Sequence, residues 1–157
     1  MTHGEKAEAL FKQGYNCAQS VLLAFGEMTG LDAPIAAMLS SSFGGGLGRL
    51  REVCGAVSGA CMVLGLLKGY SAPDDREAKK EQYHRVQEFA ERFKEQNGSI
   101  ICRELLSGVQ TTKGKAPEIR TAEYYRKRPC PRLCRMAAEL LDEMLSDTVN
   151  DTQINGE

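Results

Sequence analysis

The sequence predicts an all-α, single-domain bundle of about six to seven helices, and three observations carry that prediction. Apolar residues recur at three- and four-residue spacing along most of the chain. No run alternates apolar and polar residues strictly enough to read as a strand, and no segment repeats at a fixed period. At 157 residues and 42% hydrophobic content the chain can bury one core but not two comfortable ones. The domain is expected over 1–146, with a polar, disordered tail over 147–157.

The first helix spans Glu5 to Gln13, where Ala7, Leu10 and Phe11 form a stripe before Gly14. Asn16 is an N-cap for a second helix from Cys17 to about Met28, with Val21, Leu22 and Phe25 inward. Pro34, just after Asp32, suits the first turn of a third helix through about Ser42. The stretch Phe43 to Arg49 is too glycine-rich to continue it and reads as a flexible loop. A fourth helix, about Glu52 to Lys68, is rich in small residues (Gly55, Ser58, Gly59, Ala60), which lets other backbones approach and places it at the centre. A long polar helix follows from about Asp75 to Gln96, with Tyr83, Val86, Phe89, Ala90 and Phe93 on one face. Ser99 caps a short sixth helix carrying Cys102, Leu105 and Leu106, with Glu104 close to the capping-box position. Val109 to Arg128 is a long excursion with a single turn over Glu123 to Arg126. Pro131 opens a last helix through about Leu145, with Leu133, Met136, Ala137, Leu140, Leu141 and Met144 inward.

Composition excludes several function classes. Lys plus Arg (20) balances Asp plus Glu (21), so there is no basic field for nucleic acid. The longest apolar stretch, about Val53 to Leu67, falls short of the roughly 20 residues that cross a bilayer and is interrupted by glycines. The N-terminus lacks the pattern of a signal peptide, so a cytoplasmic location is expected, with no membrane insertion.

In such a compartment the cysteines stay reduced, which favours metal or redox chemistry over a disulfide framework. Of the six, Cys17, Cys54, Cys102 and Cys130 each fall at or beside a helix start, where unpaired amides and the helix dipole stabilise a thiolate and lower its pKa. Cys61 and Cys134 lie inside helices and either extend that cluster or pack as small hydrophobes. There is no Cys-x-x-Cys pair, and His3 and His84 are not at ligand spacing to any cysteine. This excludes a zinc finger, a thioredoxin-type pair and covalent haem attachment. No catalytic triad is evident, and enzymatic activity is left open.

The segments Gly14-Tyr15-Asn16-Cys17-Ala18-Gln19, Phe43-Gly44-Gly45-Gly46 and Cys54-Gly55-Ala56-Val57-Ser58-Gly59-Ala60 resemble the bacterial C_GCAxxG_C_C family of redox-active proteins, with similarity from about Lys6 to Leu145. The family's four cysteines fall on Cys17, Cys54, Cys102 and Cys130, with Cys134 the competing choice for the fourth. Where the family label writes Gly-Cys-Ala, this chain has Cys-Gly-Ala. The resemblance implies a helical redox domain. Through a related non-haem domain in split-Soret cytochromes it also implies a four-cysteine iron–sulfur site of the two-iron type, [2Fe-2S]. The haem portion is absent from this chain.

The leading expectation is therefore a redox-active or electron-transfer protein built on Cys17, Cys54, Cys102 and Cys130, as a cluster or a thiol/disulfide pair, serving a redox partner protein. The alternatives are a structural zinc or soft-metal module and an inert, cofactor-free helical scaffold. Gly44, Gly45, Gly46, Gly48 and Gly55 are expected to shape the site. That loop lacks the Gly-Lys-Ser/Thr ending of a phosphate loop and follows a helix, so tight packing or cluster shielding is the better reading of it. Arg49 and Arg51 are expected to be solvated or paired. The basic group Arg120, Arg126, Lys127, Arg128, Arg132 and Arg135 is expected to be a solvated helix entrance, with partner docking as the functional alternative. The helix face over Gly55 to Gly65 suits either an internal contact or a homodimer.

Overall fold

Reciprocal side-chain caps start the first two helices. In the computed structural model, which describes residues 1–154 and side chains through Asp147, Thr2 accepts from the Glu5 amide while Glu5 accepts from the Thr2 amide. This capping box begins α1 (His3–Lys12) ahead of the expected Glu5. Asn16 and Gln19 repeat the device at α2 (Cys17–Ala24). That helix does not reach Met28. Phe25 leaves helical geometry, its buried ring stacks on His3 at 4.1 Å, and a separate one-turn α3 (Gly26–Thr29) follows.

Next come α4 (Ala33–Ser40), with Pro34 in its first turn, and a 3-10 turn over Ser41–Phe43. α5 (Gly55–Lys68) starts later than Glu52 because the residues before it pair with a distant segment. α6 (Arg76–Asn97) is capped by Asp75 and ended by Gly98. The remaining helices are α7 (Cys102–Leu105), α8 (Ala122–Lys127) and α9 (Cys130–Ile154). The described residues thus hold nine α-helices against the six to seven expected, the additions being the single turns α3 and α8. α9 continues past Leu145, where the apolar stripe ends, to Ile154. Residues 155–157 of the expected tail lie outside the described residues.

Two further expectations are corrected. Ser99 does not cap α7, whose N-cap is Ile101. Its hydroxyl instead accepts from the Ile101 amide at 2.9 Å and contacts the Glu104 carboxylate, which shapes the turn before the helix. Tyr83 is not on the buried face of α6. Gln82 takes that position, in register with Phe89 and Phe93, and Tyr83 meets Tyr70 edge-on at the surface.

α1 packs on α9, and α2 lies against α1, α5 and α9, so α2 and α5 form the inside of the bundle. Phe11, Phe25, Phe89, Phe93, Leu22, Leu64, Leu140 and Leu141 fill the core, each contributing about 1.5–3 kcal/mol by leaving water. The small-residue face of α5 is used within the chain. A Cβ on Gly59 would stand 2.6 Å from the Ala18 carbonyl oxygen, so α2 and α5 meet backbone to backbone there. Among the described residues no helix is long and apolar enough to cross a membrane.

Candidate cysteine site

Each of the four cysteines near a helix start is delivered by a different local device. Cys17 is the first residue of α2, behind the Asn16 cap, and the Asn16 side-chain Nδ2 also donates to the Ser41 carbonyl at 3.1 Å. Cys54 and Cys102 come together through an isolated antiparallel bridge between Val53 and Ile101. Around it the Cys54 amide donates to Ile100 (2.8 Å) and the Cys102 amide to Glu52 (2.6 Å). The bridge makes Cys54 the N-cap of α5 and Cys102 the first residue of α7. Cys130 opens α9, and its thiol is near enough to that of Cys17 for the two to interact.

The glycine loop is not flexible in the sense expected of it. Gly45, Gly46, Leu47, Gly48 and Arg49 have φ of 66, 72, 69, 52 and 64°, a continuous left-handed run, and Arg51 follows at 60°. The amides of Gly48, Arg49, Leu50, Arg51 and Glu52 all donate to carbonyls within residues 42–47. Those bonds stabilise a conformation that costs about 1–2 kcal/mol at each non-glycine residue. They also leave these amides unavailable to a phosphate. At Gly46 the left-handed backbone combines with close approach, since a Cβ there would lie 2.6 Å from the Cys102 Cβ.

Cys17, Cys54, Cys102 and Cys130 all line one cavity of about 360 Å³, and Gly44, Gly45, Gly46, Gly48 and Gly55 form part of its wall. Cys134 and Cys61 do not line it. Cys134 is fully buried behind Cys17, its sulfur 3.9 Å from the Cys17 carbonyl oxygen, and Cys61 is half-buried further along α5. His3 is bonded to Asp142 at 2.8 Å and His84 is exposed on α6, so neither histidine reaches the cavity.

Sequence reasoning missed the charged part of the wall. Arg49, Arg51, Lys115, Arg120 and Arg128 line the cavity against a single carboxylate, Glu118. Arg49 donates to the carbonyls of Thr112 (3.0 Å), Gly114 (2.6 Å) and Ala116, pinning the long excursion over the cysteines. Glu118 makes a direct ion pair with buried Arg128 and lies 3.9 Å from Arg51. Arg128 rests over the Tyr124 ring, and Arg120 stacks on Phe11 while donating to its carbonyl at 2.6 Å. Arg120 and Arg128 therefore turn inward, whereas Arg126, Lys127 and Arg132 are the solvated entrance expected of the whole group. Arg51 is not solvated either. Its Nη1 is 3.9 Å from the Cys102 sulfur, and its Nη2 is the one buried side-chain polar atom among the described residues without a hydrogen-bond partner.

Burial reverses the expected effect of the helix starts on the thiols. Burial pushes Cys54 up to about 12, although the amides of Ala56 and Val57 face its sulfur and favour the thiolate. The Cys17 hydrogen bond, then burial, pushes Cys130 well up. At Cys17 the bond with Cys130 favours the thiolate but is outweighed by the bond with Cys134, by burial and by neighbouring sulfurs. Burial raises Cys102 as well, with the Arg51 guanidinium opposing it. Helix dipoles act within a turn and through solvent, while the loss of solvent acts on the whole charge, so the second effect wins here.

The cysteines do not form a single-ion cage: among the described residues no three His, Cys, Asp or Glu side chains are grouped to hold one metal ion. They reach the cavity from separate parts of the chain, Cys54 and Cys102 from the two segments joined by the bridge and Cys17 and Cys130 from the starts of α2 and α9. No curated protein and no solved structure matches the chain. The family model described as "Putative redox-active protein (C_GCAxxG_C_C)" matches residues 15–144, most of the helical bundle and every cysteine in it, and the chain belongs to that family.

Proposed function

We propose that Cys17, Cys54, Cys102 and Cys130 form the redox site of an electron-transfer protein and that they are the ligands of a two-iron cluster. The observation that carries this reading is the cavity itself, where four thiols share the wall with five cations and one carboxylate. Of these cations Arg128 is buried and the Arg51 side chain nearly so, and an anion made of four thiolates would balance the positive charge that Glu118 alone does not. Two-iron clusters take four cysteine ligands, two to each iron, and four cysteines line this one cavity. Cys130 is the fourth ligand in this reading because it lines the cavity, while Cys134 supports Cys17 from behind. A bound cluster would supply one-electron uptake and release at its irons. The chain's own residues bury the four thiols along one cavity and place the Arg51 guanidinium against Cys102. Electrons would be exchanged with a partner protein of the cytoplasm.

The neighbouring Cys17 and Cys130 thiols favour one second reading, a dithiol that closes to a disulfide by passing two electrons to the redox partner and releasing two protons. One sample separates the readings. Protein purified without oxygen is expected to be coloured and to carry iron and sulfide in equal amounts. Single Cys→Ser changes at positions 17, 54, 102 or 130 should abolish the colour, and those at 61 should not. Stoichiometric zinc would sink the redox reading in favour of the structural module. Iron-free protein with a reversible Cys17–Cys130 disulfide would replace the cluster by the dithiol, and iron-free protein with six inert thiols would leave only a scaffold.

A further inference from the structure

Arg51 is held in an unusual way for a residue that does nothing. Its φ of 60° is left-handed although it has a side chain, which costs about 1–2 kcal/mol. Three bonds keep it there: its amide donates to Gly45 (3.0 Å), and its carbonyl accepts from the Arg103 amide (3.2 Å) and guanidinium (3.0 Å). Backbone strain that the surroundings enforce in this way is concentrated at functional positions. The side chain is brought to the Cys102 sulfur at 3.9 Å and keeps one buried, unspent donor nitrogen at the cavity. Its neighbouring carboxylate, Glu118, is already taken by Arg128 in a direct ion pair and reaches Arg51 only at 3.9 Å.

We propose that Arg51 is a positioning residue that donates N–H to the sulfurs of the Cys102 side of the cluster, and that Arg51 and Glu118 together set the reduction potential of the site. The proposal rests on the cluster reading above. Reduction adds one electron from a dye or electrode, with no bond formed or broken, and so adds one negative charge beside Arg51. A guanidinium and its N–H groups stabilise the reduced form, and hydrogen bonds to cluster sulfurs are among the determinants of potential. A carboxylate has the opposite effect. The chain places both on one side of the site, with Arg128 partly neutralising the carboxylate, so changes at the two residues should move the potential in opposite directions.

The test is the midpoint potential of the iron-loaded protein, read from the visible spectrum during a dye-mediated titration, in wild type, Arg51→Gln, Arg51→Lys and Glu118→Gln. Arg51→Gln is expected to lower the one-electron reduction equilibrium at least tenfold, which is 59 mV downward. Glu118→Gln is expected to move it upward, and Arg51→Lys, which keeps the charge, to recover most of the Arg51→Gln loss. General loosening of the site would move both glutamine variants the same way, and that result, or an unmoved Arg51→Gln, would overturn the proposal while the cluster reading stands. Should Arg51→Gln not fold, Glu118→Gln carries the test, and a potential unmoved or lowered there overturns it. Wild-type protein without iron and sulfide would instead remove the cluster reading, and this proposal with it.

Discussion

Replacing Gly46 with alanine isolates what the glycine loop does for the cysteine site. A Cβ at this position would stand 2.6 Å from the Cys102 Cβ, 2.8 Å from the Glu52 amide nitrogen and 2.9 Å from the Arg51 Cα, on a backbone with φ of 72°. Two costs follow. The left-handed conformation costs an alanine about 1–2 kcal/mol, and the forced shift of packed neighbours, two of them backbone atoms, costs about 1–3 kcal/mol more. Gly48 provides the control, since it is also left-handed, with φ of 52°, but its added Cβ would meet only the Ser42 oxygen at 3.9 Å. The entropy gained by restricting the unfolded chain is the same for both substitutions and cancels in the comparison. Gly46→Ala should therefore be less stable than Gly48→Ala by about 1–3 kcal/mol, seen in urea denaturation as a lower midpoint at unchanged slope. Equal midpoints for the two variants would refute the idea that Gly46 is a glycine because Cys102 approaches it.

Two other outcomes are expected. In metal-free protein the buried thiols favour the protonated form, Cys61 up to about 11 and Cys54 up to about 12 with burial the leading cause in both. A folded pKa raised above the unfolded value, about 8.5, gives stability that is complete below that pH and is lost as pH rises through the folded values. The urea midpoint should fall from about pH 8.5 upward, at about 1.4 kcal/mol per pH unit for each thiol the fold keeps protonated; a flat profile to pH 10 would contradict the burial argument. Asn16→Ala removes the cap of the helix that carries Cys17 and the tie to the Ser41 carbonyl, and should cost about 1–2 kcal/mol in thermal or urea unfolding. Asn16→Asp keeps the capping oxygen and should recover most of it, and a fully destabilised Asp variant would show that the Ser41 tie dominates.

The helices were legible because their causes are local. The Asn16 cap, the Pro34 start and the apolar stripe of α9 all act over three or four residues, and each stands where the sequence puts it. Errors arose where a distant contact overrode the local pattern. Phe25 ends α2 to stack on His3, and the bridge to Ile101 keeps residues 51–54 out of α5.

The same division holds at the site. The sequence by itself determined that Cys17 and Cys130 stand at helix starts, since a cap and a proline decide that within a turn, whereas the bridge to Ile101 fixes the starts at Cys54 and Cys102. It also placed the chain in its family through the motifs around them. Only the tertiary structure decided that these starts converge on one cavity, that Cys134 lies behind it, and that Arg51, Glu118 and Arg128 face the sulfurs instead of water. An arginine has the same sequence signature whether its guanidinium is solvated or buried, because the choice depends on a partner brought from elsewhere in the chain. The sign of the thiol shifts was decided there as well: a helix start is a property of the segment, but the loss of water around it is a property of everything packed above.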